Sequence, residues 1–317
     1  MSSARTRRTL FGLVKVDDYL VEKPCGFQTV VDGNIIQPQI TQPYASGAEI
    51  IAKHYFNKYG VQIVIVDHSK IVENGDNLLK RFQAFCTDTL PHYSLNNNSA
   101  IGFVLMHDTN HAVPVLISCE NDKNYMVVFD STSGPRRKGY IAIANLVPHF
   151  KVLLNDGTRQ ADNGSCVTDA LSILKDALRI TQLATNIEAH KSVSIDTLTP
   201  SPERQNSFAA ARLNQPNLGL FNMPEPLLKT AQISNYVIKA DANLDTVIRS
   251  PNKPLTDDQG NVKPATLRQR RAADELTVSF NRKPEQSVGI NSYLFNKSRK
   301  HAAIIKAEVD RLNRASK

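Results

Sequence analysis

Residues 159–170 read Arg159-Gln-Ala-Asp-Asn-Gly-Ser-Cys-Val-Thr-Asp-Ala170, a polar segment that leads into a helical pattern. Apolar residues recur after Cys166 at three- and four-residue spacing, at Val167, Ala170, Leu171, Leu174 and Leu178. This spacing predicts a helix with one apolar face and places the Cys166 thiol at its amino-terminal end, where the helix dipole favours a thiolate. The glycine-containing segment before it is typical of an exposed turn. Cys166 is therefore a candidate nucleophile, with a buried, unreactive cysteine as the alternative.

A histidine and an aspartate lie upstream, each beside an apolar run typical of a strand. His111 opens His-Ala-Val-Pro-Val-Leu-Ile, and Asp130 closes Tyr-Met-Val-Val-Phe-Asp. A protonated thiol is a weak nucleophile, so it needs an imidazole to take its proton, and the imidazole needs a carboxylate to fix its tautomer. The set His111, Asp130 and Cys166 therefore predicts a thiol triad. Taken singly, His111 is one of 8 His and Asp130 could simply end a strand.

Gln160 lies six residues before Cys166 and is the candidate oxyanion donor. Its side-chain amide, with backbone N–H groups near Ser165 and Cys166, could point at the charge that develops on a tetrahedral intermediate.

Composition limits the class of protein. The chain has 317 residues, of which 41% are hydrophobic, enough for one large or two small domains. No apolar run reaches the roughly 18 residues of a membrane span, and the amino terminus lacks the apolar stretch of a secretory signal. The 4 Cys have neither disulfide-framework nor metal-ligand spacing, so we expect no metal and a reducing compartment.

The net charge of +8 is concentrated near the carboxyl terminus, because residues 251–317 hold 14 Lys and Arg but 7 Asp and Glu. Such an excess can bind nucleic acid, an anionic membrane or a small polyanion. The sequence has no zinc-finger spacing and no aromatic-rich RNA motif, so we expect no nucleic-acid partner. A solvated basic face and a specific anion site remain equally open.

The pattern along the chain predicts an α+β fold in which strands form a mixed sheet beside the nucleophile helix. Three regions are expected: a flexible leader (1–45), a catalytic core (46–188) and a basic C-terminal region that completes the fold (189–317). Helices are predicted near 48–56, 77–85 and 166–178 and from about 291, with 226–236 as an ordered piece. Strands are predicted at 61–66, 101–106, 113–118, 125–129 and 151–154. Polar, proline-containing stretches at 197–204 and 250–260 are predicted to be connections or insertions.

The order His, Asp, Cys, with a Gln six residues before the Cys, resembles that of clan CE cysteine peptidases. The chain resembles more closely the YopJ family of bacterial effector acetyltransferases. In that family the His and the acidic residue are separated by about as many residues as His111 and Asp130 are here. Two C-terminal segments carry this resemblance. They are Met223-Pro-Glu-Pro-Leu-Leu-Lys-Thr-Ala-Gln and Ile290-Asn-Ser-Tyr-Leu-Phe-Asn-Lys-Ser-Arg-Lys.

This resemblance implies a clan CE cysteine-protease-like core plus a mostly helical regulatory region. It also implies secretion by a bacterium into the host cell cytoplasm, acetyl-CoA as donor, and Ser, Thr or Lys of host proteins as acceptors. Inositol hexakisphosphate is the implied small-polyanion activator, with Lys229, Arg299 and Lys300 as its carried-over ligands.

The sequence departs from the pattern at three places. Asp130 stands where many members of the family have Glu, and Thr230 stands where the family has His after the Lys. Val167 follows Cys166 where clan peptidases usually have Gly, which counts against peptidase activity.

Three functions therefore compete. The first is an acetyltransferase that passes an acetyl group through Cys166. The second is a deubiquitinase or ubiquitin-like isopeptidase that uses the same triad. The third is a non-catalytic host-binding effector, which holds if the three residues are not within hydrogen-bonding reach.

Overall fold

The computed structural model describes most of the chain. The described residues are 14–31, 34–68, 78–107, 111–131, 143–155, 157–162, 164–189, 217–233, 237, 255–256, 259, 262–263, 266, 268–269, 271, 275–280 and 283–315. Within these ranges no helix is both long enough and apolar enough to cross a membrane.

The helices are α1 (Ala45–Tyr59), α2 (Leu78–Ala84), α3 (Cys166–Ala177), α4 (Leu183–Ala189) and α5 (Tyr293–Ala315). A π-helical turn, Phe85–Thr89, continues α2, and 3₁₀ turns lie at Val16–Asp18, Leu90–His92 and Glu225–Thr230. The strands are β1 (Leu20–Pro24), β2 (Phe27–Val31), β3 (Asn34–Ile36), β4 (Gln39–Pro43), β5 (Ile63–Asp67), β6 (Ser99–His107), β7 (His111–Glu120), β8 (Lys123–Val128), β9 (Lys151–Asn155), β10 (Leu218–Phe221), β11 (Leu255–Thr256), β12 (Val262–Lys263), β13 (Glu275–Phe280) and β14 (Lys283–Asn291).

Six strands form the central mixed sheet in the order β10-β9-β8-β7-β6-β5. The antiparallel meander β6-β7-β8 lies in the middle, and β5, β9 and β10 extend it by parallel pairing. A two-residue turn at Asn121 and Asp122 joins β7 to β8, and both residues have positive φ (51° and 60°), as a type I′ hairpin requires. Since β7 and β8 are antiparallel, the start of β7 lies beside the end of β8.

Apolar side chains cover both faces of this sheet. One face packs against α1 and α3, through residues such as Ile51 and Leu171, and α5 packs on these two helices through Ile305. The other face packs against α2 and the π turn, through Phe82 and Phe85. Strand β7 contributes to both layers, which explains why its sequence is apolar without alternation.

The described part of the predicted flexible leader is folded. Residues 20–43 form β1–β4, and β2 pairs with β13 from the far end of the chain. Phe27 and Ile40 are buried with Val278 and Ile290 in a small separate core. Because the apolar partners of these strands lie about 250 residues away along the chain, local periodicity could not reveal this order.

The C-terminal region adds strands as well as the expected final helix. It supplies β10 to the central sheet, the pair β13-β14 and the 23-residue helix α5. In β13, Leu276, Val278 and Phe280 alternate with Thr277 and Ser279, the two-residue period of a strand. The predicted insertion at 197–204 lies outside the described residues, as does most of 250–260.

The core elements follow the sequence pattern closely. Strands β5–β9 and helices α1, α2 and α3 occupy the predicted segments, and α5 begins at Tyr293. The predicted α+β class with a mixed sheet beside the nucleophile helix is confirmed.

We predict that Gly47→Ala destabilises the fold, although alanine is the better helix former. A Cβ at Gly47 of α1 would lie 2.4 Å from the backbone oxygen of Tyr19, and backbone cannot yield as a side chain can. The free energy of unfolding in urea should fall by about 1–3 kcal/mol. Asn57→Ala, on the exposed side of α1, is the control and should leave stability unchanged or slightly higher. A gain in stability for Gly47→Ala would contradict this packing.

Candidate active site

The structure brings His111 and Asp130 together. His111 is the first residue of β7 and Asp130 lies two residues after β8, at the adjacent end of the meander. Nε2 of His111 lies 3.2 Å from Oδ1 of Asp130, an ion-pair distance, and both side chains are buried. The N–H direction at Nε2 is not that of a hydrogen bond, so a rotation of the ring would align the pair.

Cys166 begins α3, as predicted, but the exposed turn expected there is absent. Only 3% of Cys166 is exposed, because the helix start is covered by the amino-terminal strands. Burial raises the pKa of the thiol to about 11, while a hydrogen bond from the backbone of Ala112 and the charge of Lys23 partly oppose it. Ala112 is the residue after His111, so the thiol lies at the start of β7. In this state the thiol is protonated at neutral pH.

Strand β4 caps the nucleophile helix. The backbone N–H groups of Val167 and Thr168 donate to Oε1 of Gln42 at 3.1 and 3.4 Å. Nε2 of Gln42 donates in turn to Oγ1 of Thr168 at 3.3 Å. The first N–H groups of a helix have no partner within it, so a side chain from β4 satisfies them here. Position 42, placed in the predicted leader, therefore belongs to the site.

Gln160 contacts the turn before Cys166 through Asp162, and its side-chain amide is already hydrogen-bonded. Nε2 donates to the backbone oxygen of Asp162 at 2.8 Å and to Oδ1 of Asp162 at 3.1 Å, and Oε1 accepts from Oγ of Ser131 at 2.6 Å. An oxyanion role would require Gln160 to exchange one of these bonds. That role stays a prediction.

Asp162 organises the turn before Cys166. Its Oδ1 accepts from the backbone N–H groups of Gly164 at 2.8 Å and Ser165 at 2.6 Å. Its Oδ2 accepts from Nε2 of Gln232, which comes from the C-terminal region. The turn is therefore held by one carboxylate and one distant amide.

A buried ion pair fixes the base of the site. Both guanidinium nitrogens of Arg159 donate to the carboxylate of Asp169, one turn into α3, and both side chains are fully buried. Nη2 also donates to the backbone oxygen of Phe129 at 2.8 Å, next to Asp130, and Nη1 to Oγ1 of Thr230 at 3.1 Å. One side chain thus joins the strand end, the nucleophile helix and the C-terminal region.

A group of lysines, here called the basic cluster, surrounds the carboxyl-terminal end of α3. Its members are Lys297 and three lysines whose charges act on it, Lys175, Lys229 and Lys300. Nζ of Lys175 lies 2.8 Å and Nζ of Lys229 2.9 Å from the carboxylate of Asp176. Burial raises the pKa of Asp176, but the two lysines outweigh it and hold the pKa below its usual range.

Lys297 is the most perturbed member of the basic cluster. Burial, together with the charges of Lys175, Lys300 and Lys229, lowers its pKa to about 7, and Asp176 offsets only part of this. Its Nζ lies 5.2 Å from the ring centroid of Tyr55, at cation–π distance. The cluster therefore carries an excess of positive charge that one aspartate does not neutralise.

The three residues predicted to bind the polyanion do not all lie on the same side of the structure. Lys229 and Lys300 belong to the basic cluster. Arg299 and Lys300 are both exposed, but Arg299 lies two residues from Lys297, on nearly the opposite side of α5. Behind the cluster, Oη of Tyr55 and Nε2 of His301 form a buried hydrogen bond of 2.6 Å.

Sequence reasoning missed Gln42, Asp162, Gln232, Lys175 and Lys297. Lys297 lies four residues before the buried His301 on α5, where a lysine is unusual, but only the fold shows that this side of the helix is buried. Gln232 is the Gln of the quoted Lys-Thr-Ala-Gln segment, but its contact with residue 162 required the fold. Among the described residues, no group of three or more His, Cys, Asp or Glu could hold a metal ion.

No family model matches this chain, and no curated protein is significantly similar to it in sequence. Solved structures do resemble it. The crystal structure of HopZ1a in complex with IP6 aligns with a TM-score of 0.50 at 12% identity, over 83% of this chain and 85% of that one. This likeness shows the fold, and the predicted clan CE-like core is confirmed.

Two other solved structures align less well. AvrA, a deletion variant with IP6 and CoA, has a TM-score of 0.44 at 11% identity, over 82% of this chain and 88% of that one. A de-sumoylating protease has a TM-score of 0.30 at 12% identity, over 69% and 95%.

We predict that alkylation of Cys166 by iodoacetamide, followed by peptide mass spectrometry, rises steeply with pH. The thiolate is the reactive form, so with a pKa of about 11 the rate should increase about tenfold per pH unit from pH 7 to 10. Cys166→Ala identifies the labelled site. A rate that has already levelled off at pH 7 would mean that the resting thiol is ionised, contrary to its burial.

Proposed function

We propose that the protein is an acetyltransferase that passes an acetyl group from acetyl-CoA through Cys166 to Ser, Thr or Lys of another protein. We further propose that inositol hexakisphosphate activates it at the basic cluster. Delivery by a bacterium into the host cell cytoplasm, and host proteins as acceptors, belong to the same proposal.

The chemistry follows from the residues at the site. His111 takes the thiol proton, and the Cys166 sulfur attacks the thioester carbonyl, forming a C–S bond while the C–S bond to CoA breaks. The CoA thiolate leaves with the proton from His111. The acceptor hydroxyl or amine then gives its proton to His111, attacks the acetyl-cysteine, and regenerates the thiol. Asp130, 3.2 Å from Nε2 of His111, stabilises the imidazolium in both steps.

One observation carries this proposal: Cys166 and the basic cluster lie at the two ends of the same helix. Helix α3 begins at Cys166, and its last turn contains Lys175 and Asp176. A ligand with many phosphates would give the excess lysines the anions that Asp176 alone does not supply. The solved HopZ1a of this fold was crystallised with IP6, which supports a polyanion as the ligand class.

The isopeptidase remains the second candidate because it would use the same thiol and imidazole. The basic cluster favours the first candidate, since cleavage of an isopeptide bond does not require a polyanion site. Val167 after Cys166, where clan peptidases usually have Gly, points the same way.

We expect purified protein to form acetyl-cysteine from labelled acetyl-CoA in the presence of inositol hexakisphosphate. Cys166→Ala should abolish acetyl transfer, by at least ~10³-fold, without unfolding, and Asp130→Ala should be less severe. Cys119→Ala, at a partly exposed cysteine, is the matched control. Full activity in Cys166→Ala would remove the nucleophile assignment. Rapid labelling by a ubiquitin-based suicide probe without any acetyl transfer would favour the isopeptidase.

We also expect inositol hexakisphosphate to bind with proton uptake. Lys297 has a pKa of about 7 in the free protein, so at pH 8 it is mostly neutral, and a bound polyanion favours its charged form. The groups that face it are His54 of α1, Lys175 and Asp176 of α3, Lys229, and Lys300 and His301 of α5. Affinity should therefore fall as pH rises from 6 to 9, because more protons must then be taken up.

Calorimetry in buffers of different ionisation enthalpy measures this uptake. Lys297→Met should lower the number of protons taken up per bound ligand at pH 8 by up to one. Protons taken up by the ligand itself are the same for both proteins and cancel in this comparison. The lowered pKa of Lys297 also makes the ligand-free protein more stable as pH rises from about 7 towards 10.5. In this range only the unfolded state keeps the Lys297 proton. Arg299→Met is the control on the opposite side of α5. Equal effects of Lys297→Met and Arg299→Met on proton uptake would contradict a polyanion site at the basic cluster.

A further inference from the structure

Gln232 is buried between the nucleophile turn and the last strand. Its backbone N–H donates to the oxygen of Arg159 at 2.8 Å, and its backbone oxygen accepts from the N–H of Asn291 at 3.1 Å. Ile233 adds an isolated antiparallel bridge to Ile290. The residue is thus fixed on both sides before its side chain makes any contact.

The side-chain amide of Gln232 faces donors on one side and an acceptor on the other. Oε1 accepts from the backbone N–H groups of Ala161 at 2.7 Å and Asp162 at 3.1 Å. Nε2 donates to Oδ2 of Asp162. A flipped amide would turn its NH₂ towards two N–H groups and its oxygen towards a carboxylate, so only one orientation is possible.

Asp162 connects Gln232 to the turn before Cys166. Its second oxygen holds the N–H groups of Gly164 and Ser165, directly before Cys166, and the amide of Gln160. These three donors before Cys166 are therefore held by Asp162, which Gln232 holds in turn.

We propose that Gln232 is a positioning residue that sets the nucleophile turn through Asp162 and connects it to the basic cluster. The proposal rests on the acetyltransferase function, since it concerns the same thiol. The hydrogen bonds of Gln232 go to residues 159, 161, 162 and 291, so its action on Cys166 is indirect.

The connection to the basic cluster is short. Lys229 lies in the last turn of the 3₁₀ segment Glu225–Thr230, three residues before Gln232, and pairs with Asp176. Between them, Oγ1 of Thr230 accepts from Arg159, and the backbone oxygen of Ala231 accepts from Nη1 of Arg271 at 2.8 Å. A ligand that draws Lys229 away from Asp176 therefore moves the segment that holds the turn.

A charge swap tests this arrangement. Asp162→Asn places an NH₂ against the NH₂ of Gln232, and Gln232→Glu places a carboxylate against the carboxylate of Asp162, so each single variant loses the bond. In the double variant Asp162→Asn/Gln232→Glu every donor again meets an acceptor, with the negative charge moved to position 232. Gln232→Met keeps the volume of the side chain without its hydrogen bonds.

Three measurements are made on each full-length variant. Acetyl transfer from acetyl-CoA gives kcat and KM; iodoacetamide gives the pH midpoint of Cys166 alkylation; and thermal unfolding with inositol hexakisphosphate shows that the fold and the basic cluster remain. We expect both single variants and Gln232→Met to lose ~10–100-fold in kcat with KM for acetyl-CoA unchanged, the cost of a misplaced reacting group. The double variant should recover most of this loss.

The alkylation midpoint separates positioning from simple charge effects. The Asp162 charge raises the Cys166 pKa, so Asp162→Asn should lower the midpoint and Gln232→Glu should raise it, although kcat falls in both. Loss of kcat in proportion to unfolded protein, or no recovery in the double variant, would overturn the proposal. If wild-type protein transfers no acetyl group, the proposed function fails. The thermal unfolding midpoints then test the contact alone: a double variant more stable than the sum of the two single changes supports it, and additive changes refute it.

Discussion

The buried pair of Arg159 and Asp169 is the interaction on which the site depends. Removing two charges from water is costly, and the cost is offset only where each charge meets well-placed partners. Arg159 meets this condition through Asp169, the Phe129 carbonyl and Thr230. These partners come from the strand that leads to Asp130, from the nucleophile helix and from the C-terminal region. Because none of them can move without leaving a buried charge unsatisfied, the three parts fold as one unit.

Helix α3 extends the same principle along its length. All 12 of its residues are buried, so its polar side chains must each find a partner inside the protein. Thr168 meets Gln42, Asp169 meets Arg159, and Asp176 meets Lys175 and Lys229. These partners come from β4, from the preceding loop and from the C-terminal region. Residues from distant parts of the chain therefore contact the helix at both of its ends.

The sequence was informative where structure is local and uninformative where partners are distant. Period and turn chemistry predicted β5–β9, α3 and the order of His111, Asp130 and Cys166, because these signals extend over a few residues. The burial of Cys166 could not be predicted, since it depends on strand β4, more than 120 residues away. The Gln160 amide is occupied by nearer residues, Asp162 and Ser131, but their contacts depend on how the turn folds. The basic excess of the tail was visible in composition, but only the fold shows that Lys297 joins the cluster and Arg299 does not.

Burial affects the two ends of α3 in the same physical way. A low-dielectric environment disfavours the charged form of any group, so it raises the pKa of the Cys166 thiol to about 11 and lowers that of the Lys297 amine to about 7. At neutral pH the thiol is therefore protonated, and the amine is only partly charged. In the proposed function, a polyanion at the basic cluster favours the charged form of Lys297 directly, whereas the thiol becomes a thiolate when His111 accepts its proton. A ligand at the basic cluster can therefore affect the thiol only through residues that connect the two ends of α3. A short connection of this kind runs from Lys229 along the chain to Gln232, and from Gln232 through Asp162 to the turn before Cys166.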